Sequence, residues 1–488
     1  MIVRNAVFER KSLMKTNKKS ISVEKEKGRF YTPDYMVKNI LDMAEYSGAK
    51  ILKKHVIDNS CGDGAFLLEI ARRYYYEAKK ANCAPQEIKK DLEKYIHGIE
   101  IEITERDKCV KKLDQYFLKE KITDIEWDII CGDALTVKKY DGKMDYVFGN
   151  PPYVRVHNLG ISIDEIKTFS LAQAGMKDLY IVFYEIGIRM LSKNGILGYI
   201  TPSSFFNSLA GSDLRKTLVS GNLIEKICDL KHFQAFSATT YTAIAILKKG
   251  RKSKEIQYYR FNEKDRVPYI FETPAASEYY IFNNFYFSSK DELKKLSDIY
   301  SNRKKSDIKV KNGYATLCDD VFINDFAFPS KFIIPVVKAS KGIKKTAFFP
   351  YTETGKLMSE EEIKADKKMY SYLKDNEEKL LKRSNENKDN WYAYGRSQAI
   401  KDTYKDKVSI NSLIRDENDI KFANAPVGTG VYGGLYLVSG TVPMKEIKKA
   451  LKSREFANYV RLLGKYKSGG YYSFSSKDVK AYLDYKFA

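Results

Sequence analysis

Between residue 29 and about residue 250, short runs of β-branched and aromatic residues alternate with amphipathic stretches. The strand candidates are 55–58, 95–101, 128–131, 144–148, 195–200, 224–230 and 241–248. Helical spacing occupies 65–80, 105–118 and 178–191, and in the last of these Leu179, Val182, Phe183, Ile186 and Met190 share one face. Strands that alternate with helices pair in parallel and need helices on both faces, because neither face can meet water. The pattern predicts an α/β fold with a doubly wound, mostly parallel sheet of seven strands. The run 241–248 follows 224–230 with no helix-length gap, so it is expected as an antiparallel strand at the sheet edge.

After Gly250 the pattern changes. Lysine clusters at 303–305, 309–311 and 338–345 interleave with aromatic pairs such as Tyr258 and Tyr259, or Tyr471 and Tyr472. The expected organisation is a basic N-terminal arm at 1–28, a catalytic domain at 29–255, and a separate mixed α+β domain at 256–488. No fixed-period repeat is visible, which argues against a solenoid.

Charge sharpens this picture. The 488 residues hold 85 Lys and Arg against 63 Asp and Glu, a net +22, of which +14 falls in residues 251–488. A surplus of this size favours a polyanionic partner, since each phosphate neutralised releases condensed counterions. No apolar run approaches the roughly 18 residues that span a bilayer, and no hydrophobic stretch follows the basic N-terminus. The expectation is a soluble, cytoplasmic protein with no membrane partner. The six cysteines form no CxxC pair and the four histidines are dispersed. Neither a zinc site nor a disulfide framework is expected, and no metal.

The candidate chemistry lies at strand ends. The first strand runs into a turn holding Gly62 and Gly64, where the absence of a Cβ lets backbone approach a ligand. Asp63 sits between them, unfavourable for a pyrophosphate but suited to a ligand with a positive portion. The second strand ends near Glu100, whose carboxylate can accept from both ribose hydroxyls. The third ends near Asp133, placed to accept from an adenine amino group. Acids at three successive strand ends point to an adenosine without phosphate that carries a cationic centre, which is S-adenosylmethionine. The fourth strand ends in Asn150, Pro151, Pro152 and Tyr153. The prolines stiffen the loop, Asn150 and Pro151 bring carbonyl acceptors, and Tyr153 brings a flat ring. Two acceptors on the N–H bonds of a conjugated exocyclic amine favour a pyramidal nitrogen that can attack a methyl group, so no strong general base is needed. Tyr153 can stack on an extruded base.

These residues resemble the gamma group of N6-adenine DNA methyltransferases, in which the cofactor motifs precede the catalytic motif and target recognition comes last. The resemblance implies a Rossmann-like methyltransferase sheet and runs through nearly the whole chain from Gly28. Residues 28–33 (GRFYTP) are similar to that group's N-terminal cofactor motif, with Tyr31 and Thr32 over the methionine end. Residues 58–66 are similar to its first motif, which implies that Asp58 and the turn after it, Ser60, Cys61 and Gly62, hold the amino-acid moiety. Glu100 and Asp133 match the ribose and adenine acids, with Ile101 and Ala134 beside them. Asn150 to Tyr153 matches the catalytic tetrapeptide, and its leading Asn points toward adenine. Residues 177–180 and 195–202 are similar to later motifs. Phe236, in a segment like the eighth, is implied as a second ring against the base, with Phe233 competing for that role. Asp58 and Asn150 lie too close for a recognition domain between them. In residues 256–488, segments 391–398 and 468–474 are similar to specificity domains, which makes Arg396, Gln398 and Tyr471 candidate DNA contacts; Lys338 and Lys341, in the lysine cluster at 338–345, are candidates as well.

The resemblance implies transfer of a methyl group to adenine N6 in duplex DNA, leaving S-adenosylhomocysteine. It also implies a nucleoid-associated enzyme of a prokaryote, phage or mobile element. Only 27 residues precede Gly28, too few for a fused nuclease, so a stand-alone enzyme is expected, either paired with a separate restriction endonuclease or acting alone. The rivals are an RNA or protein-glutamine methyltransferase that uses the same tetrapeptide, and a binding module that has lost catalysis.

Overall fold

The computed structural model describes residues 30–156, 166–176, 178–236, 240–383 and 390–487. The expected basic arm at 1–28 lies outside the described residues. The chain divides into two compact units, Met1–Lys294 and Lys295–Ala488.

In the first unit, α1 (Asp34–Met43) precedes β1 (Val56–Asp58), α2 (Ala65–Lys80), α3 (Pro85–Tyr95), β2 (Ile96–Glu100), α4 (Ile103–Lys119) and β3 (Asp128–Cys131). There follow β4 (Met144–Gly149), α5 (Leu179–Met190), β5 (Leu191–Pro202), α6 (Ser212–Ser220), β6 (Ile224–Asp229) and β7 (Thr242–Lys248). A hairpin of β8 (Gln257–Asn262) and β9 (Val267–Glu272) completes one sheet with the order β3-β2-β1-β4-β5-β7-β6-β8-β9. The first five strands are parallel neighbours.

Two expectations need correcting. The sheet has nine strands, not seven. The antiparallel strand β7 lies between β5 and β6 and pairs with both, so it is not at the edge. Its composition explains the placement: six of its seven residues, from Thr242 to Leu247, are buried, and a strand without polar alternation needs neighbours on both sides and cover on both faces. The expected boundary at residue 255 therefore falls inside the first unit. Beyond it, β8 adds in parallel to β6, and Tyr258 of β8 is fully buried.

The sheet is covered on both faces, as alternate residues of β4 and β5 show. Tyr146 and Phe148 point toward Tyr46, just beyond α1, with ring centroids 5.0 and 5.6 Å away. Leu197 and Tyr199 point to the other face, against Gly187 of α5. In the strand order β2-β1-β4-β5, the chain leaves β1 in opposite directions, toward β2 and then toward β4. In open α/β sheets such a reversal opens a crevice at the carboxyl ends of the strands.

The second unit is mixed. One four-stranded sheet joins Lys309–Asn312, Leu435–Val438, Lys407–Ile410 and Phe422–Ala425, and another joins Ile323–Asn324, Ile343–Phe348, Ile333–Lys338 and Gly430–Val431. Tyr314, Phe322, Phe348, Trp391 and Tyr394 lie in its aromatic core. Among the described residues, no helix is long and apolar enough to cross a membrane.

Candidate active site

The turn after β1 is built by two glycines in the left-handed region, Gly62 at φ +53° and Gly64 at φ +87°. A Cβ on Gly64 would come within 2.5 Å of Cys109 Sγ on α4, so the turn closes on that helix only with glycine there. The Gly62 N–H donates to Glu100 Oε2 at 2.9 Å, and the Glu102 N–H donates to Glu100 Oε1 at 3.0 Å. Two backbone donors thus fix the carboxylate at the tip of β2. A carboxylate has about four acceptor positions, so lone pairs remain for a ligand. Asp133, after β3, accepts from the Leu135 N–H at 2.9 Å.

A cavity of about 290 Å³ opens at these strand ends. Among the expected cofactor residues, Tyr31, Ser60, Gly62 and Asn150 line it on the side of the first turn and the catalytic loop. Glu100, Ile101, Asp133 and Ala134 line it at the tips of β2 and β3. Thr32, Asp58 and Cys61 do not line it. Cys61 turns its sulfur inward, toward the position where Gly98 would carry a Cβ. Asp58 is buried behind the wall and accepts from the Ser60 N–H at 3.0 Å. Burial pushes its carboxyl up to about 8, against the pull of that N–H, and neighbouring Glu100 adds to the rise. Asp63 is paired with Lys112 at 2.6 Å and does not line the cavity. The carboxylates that line the cavity are instead those of Glu100, Asp133, Glu102 and Glu105.

The tetrapeptide Asn150–Tyr153 leaves β4 at the same opening. Asn150 Nδ2 donates to the Phe30 carbonyl at 2.8 Å and to Thr32 Oγ1 at 3.1 Å. Its Oδ1 is buried without a hydrogen-bond partner among the described residues, and so is the Ser60 hydroxyl. A buried polar atom left unpaired costs about 1–3 kcal/mol; both of these residues line the cavity, where a ligand can complete the bonding. Pro152 lines the cavity and Pro151 is buried beside it. The Tyr153 hydroxyl donates to the Ile200 carbonyl at 3.1 Å, and burial pushes its pKa well above the ordinary tyrosine value, so it stays protonated. The Tyr153 ring meets Phe236 edge-on at 6.0 Å, and Phe30 lies 5.3 Å from Tyr153 and 5.7 Å from Phe236. Phe233 packs on Phe261 instead, at 4.7 Å.

Several cavity residues were not singled out in the sequence. Phe30 adjoins Tyr31 but carries no polar signal. Leu179 and Phe183 form part of the cavity wall, and only their helical spacing was legible. Glu105 holds the Tyr31 hydroxyl at 3.1 Å and Lys108 at 2.7 Å. It lies one helical turn into α4, where a charged residue reads as a solvated face.

The candidate DNA contacts lie in the second unit. Arg396 is exposed beyond a bridge between its backbone and Ala315. Gln398 Nε2 donates to the Gly313 carbonyl at 2.8 Å. Lys338 lies over the Tyr432 ring at 5.3 Å, and Arg415 lies over Tyr471 at 4.8 Å. The side chain of Lys341 lies outside the described residues. Arg383, not singled out in the sequence, ties the loop together by donating to the carbonyls of Thr316, Ala393 and Trp391.

Residues 36–236 match the family described as Eco57I restriction-modification methylase. Among individual relatives, the chain is similar to the Type II methyltransferase M.BstVI of Geobacillus stearothermophilus, 31% identical over 245 residues that make up 47% of this chain and 43% of the relative. It is also similar to the Type II restriction enzyme and methyltransferase RM.Eco57I of Escherichia coli, 23% identical across 78% of this chain and 49% of the relative. The chain thus spans under half the length of these relatives. In fold it is similar to the Type IIL restriction-modification enzyme MmeI, solved in complex with DNA, with a TM-score of 0.62 and 14% identity over 90% of this chain and 63% of that one.

Proposed function

We propose that the chain is an S-adenosylmethionine-dependent DNA methyltransferase acting on adenine N6. Its first unit would hold cofactor and target base, and its second unit would be the recognition domain for duplex DNA. A cognate restriction endonuclease is the further partner this reading implies. One observation carries it: Asn150 lines the same cavity as Glu100 and Asp133 while its Oδ1 stays buried and unpartnered.

The residues fit the cofactor. Glu100 suits ribose hydroxyls, Asp133 an adenine amino group, and the unpartnered Ser60 hydroxyl the amino-acid end. Bound there, S-adenosylmethionine supplies an electrophilic methyl group on a sulfonium. The chain's own part is orientation. Asn150 Oδ1 and the Pro151 carbonyl accept the two N–H bonds of the target amine, which leaves its lone pair free to attack. The phenol of Tyr153, anchored on Ile200, holds a ring for the base to stack on, with Phe236 as the second ring. Among the described residues, no Lys, Arg or His lines the cavity; no strong base is called for, because the amine becomes acidic only after it takes the methyl.

The tetrapeptide alone would also serve an RNA amine or a protein glutamine, and the family match favours DNA over both. The test is methyl transfer from labelled cofactor to duplex DNA, tRNA, rRNA and a peptide-release factor side by side. Label in DNA as N6-methyladenine is expected. Label only in RNA or protein would end the assignment.

A further inference from the structure

We infer that Thr32 and the Phe30 carbonyl are positioning elements that set which way the Asn150 carboxamide faces, so that its oxygen rather than its nitrogen meets the target amine. This rests on the methyltransferase reading above and assigns Thr32 a part distinct from contact with the cofactor.

The two ends of a carboxamide have nearly the same shape, so neighbouring hydrogen bonds must decide its orientation. The Phe30 carbonyl, 2.8 Å from Asn150, can only accept, so the nitrogen must face it. The Thr32 hydroxyl at 3.1 Å takes the second N–H. Both donors are then spent, and Oδ1 is left without a partner among the described residues. Turned over, the amide would set one oxygen against another at Phe30. It would also present buried N–H donors to an amine whose own N–H groups are donors. That arrangement cannot hold the amine for attack.

The two acceptors sit on a stiff stretch. Thr32 is buried and precedes Pro33, which restricts it to extended backbone. Pro33 caps the start of α1. The Phe30 ring packs against both Tyr153 and Phe236, which restrains the carbonyl behind it. Thr32 does not line the cavity, whereas Tyr31 beside it does. Its hydroxyl therefore acts through Asn150.

The test compares Thr32→Val, which removes the hydroxyl at nearly constant shape, with Thr32→Ser, which keeps it. Three quantities are read on the full chain: kcat and KM on duplex DNA, calorimetric affinity for S-adenosylhomocysteine, and hydrogen exchange of the Asn150 side-chain amide. The amide is seen by selective ¹⁵N-asparagine labelling and identified by its loss in Asn150→Ala. Thr32→Val is expected to lower kcat about ten-fold, leave product affinity within about two-fold, and expose one of two protected amide protons. Thr32→Ser is expected to restore all three. Weakened product affinity with unchanged kcat would make Thr32 a cofactor contact and overturn the inference. Rapid exchange of both amide protons in the wild type would overturn it as well. If the wild type moves no methyl group to DNA, the methyltransferase reading fails, and the amide exchange still decides the orientation.

Discussion

In the first unit, Asn150 and Ser60 each bury an oxygen that finds no partner among the described residues, and a cavity lies against both. In the second, most side chains expected to touch DNA are already engaged: Gln398 with the Gly313 carbonyl, Tyr471 beneath Arg415, and Lys338 over Tyr432. The contrast separates two ways of being ready for a ligand. A catalytic pocket keeps polar atoms unsatisfied, because the reacting group must find them already in place. If the second unit meets a polyanion as proposed, it spends many side chains on holding loops, and the phosphates would fall to those that stay exposed, such as Arg396, Lys304 and Lys305.

Removing the unpaired oxygen tests the first half of that contrast most severely. Asn150→Ala is expected to cut kcat on DNA by about 10²–10³, the usual loss for one preorganised hydrogen-bonding group. Affinity for S-adenosylhomocysteine, measured by calorimetry, should change by no more than about 1–2 kcal/mol. Turnover near that of the wild type would remove Asn150 from the chemistry.

Buried charge makes the next comparison, because each unit carries one such group with an opposite dependence on pH. Asp58 in the folded protein stays protonated to about pH 8, while in the unfolded chain it ionises near 3.8. The unfolded state therefore holds fewer protons between these values, and stability falls as pH rises from about 4 to 8, with a slope of at most about 1.4 kcal/mol per pH unit. Lys407 is buried and donates to the Thr403 and Lys405 carbonyls, both at 3.0 Å. Burial pulls its ammonium down to about 8, partly opposed by Asp402. Here the unfolded state holds more protons between pH 8 and 10.5, so stability rises across that window. Thermal melts against pH should lose the acid-side slope in Asp58→Asn and the alkaline-side slope in Lys407→Met. Parallel profiles for wild type and both variants would show that neither group titrates as its surroundings imply.

What the sequence made legible follows the same division. Chemistry at strand ends was readable because the tips of successive parallel strands converge wherever the sheet reverses, so Glu100, Asp133 and Asn150 could be placed together before any contact was known. The position of β7 was also written in its unbroken apolar run, but the short link from 224–230 pointed to the edge. The hairpin β8–β9 was hidden by flanking lysines and by a surface on which Val267, Tyr269 and Ile270 remain exposed. The orientation of the Asn150 amide was out of reach, since it depends on a carbonyl 120 residues away. In the second unit, Trp391 and Tyr394 are aromatic residues of the kind that read bases, yet both are buried in its core. Composition cannot distinguish those two uses.

Within the second unit, Arg396 and Gln398 lie two positions apart and are expected to differ. Arg396 is exposed and able to form the bidentate bond to a guanine edge that a guanidinium favours, whereas the amide of Gln398 is committed to its own loop. Arg396→Ala should relax preference at one base of the methylated sequence, by about 1 kcal/mol at the low end of such interactions. Gln398→Ala should lower the melting temperature and leave the methylated sequence unchanged. Methylation-aware sequencing of DNA from cells expressing each variant reads both outcomes. A changed motif for Gln398→Ala alone would reverse the assignment.

The smallest effect separates surface cations from structural ones. Lys304 and Lys305 are exposed, whereas Lys311 and Lys405 are bound to Asp402 at 2.5 and 2.8 Å. A lysine releases condensed counterions from a phosphate only if a carboxylate does not already neutralise it. Replacing Lys304 and Lys305 with Gln should therefore reduce the slope of log K against log salt for duplex DNA by roughly 0.9 for each phosphate that the variant no longer neutralises. Replacing Lys405 should leave that slope unchanged and show itself in stability, because it strips a partner from the buried carboxylate of Asp402, which its lysines hold well below the usual range. The measurement is a salt titration of binding to one duplex by the wild type and both variants. If the double variant keeps the full slope, Lys304 and Lys305 do not touch the phosphate backbone. If the Lys405 variant flattens the slope instead, pairing with an internal carboxylate does not withdraw a lysine from DNA, and the distinction between engaged and available side chains in this unit falls with it.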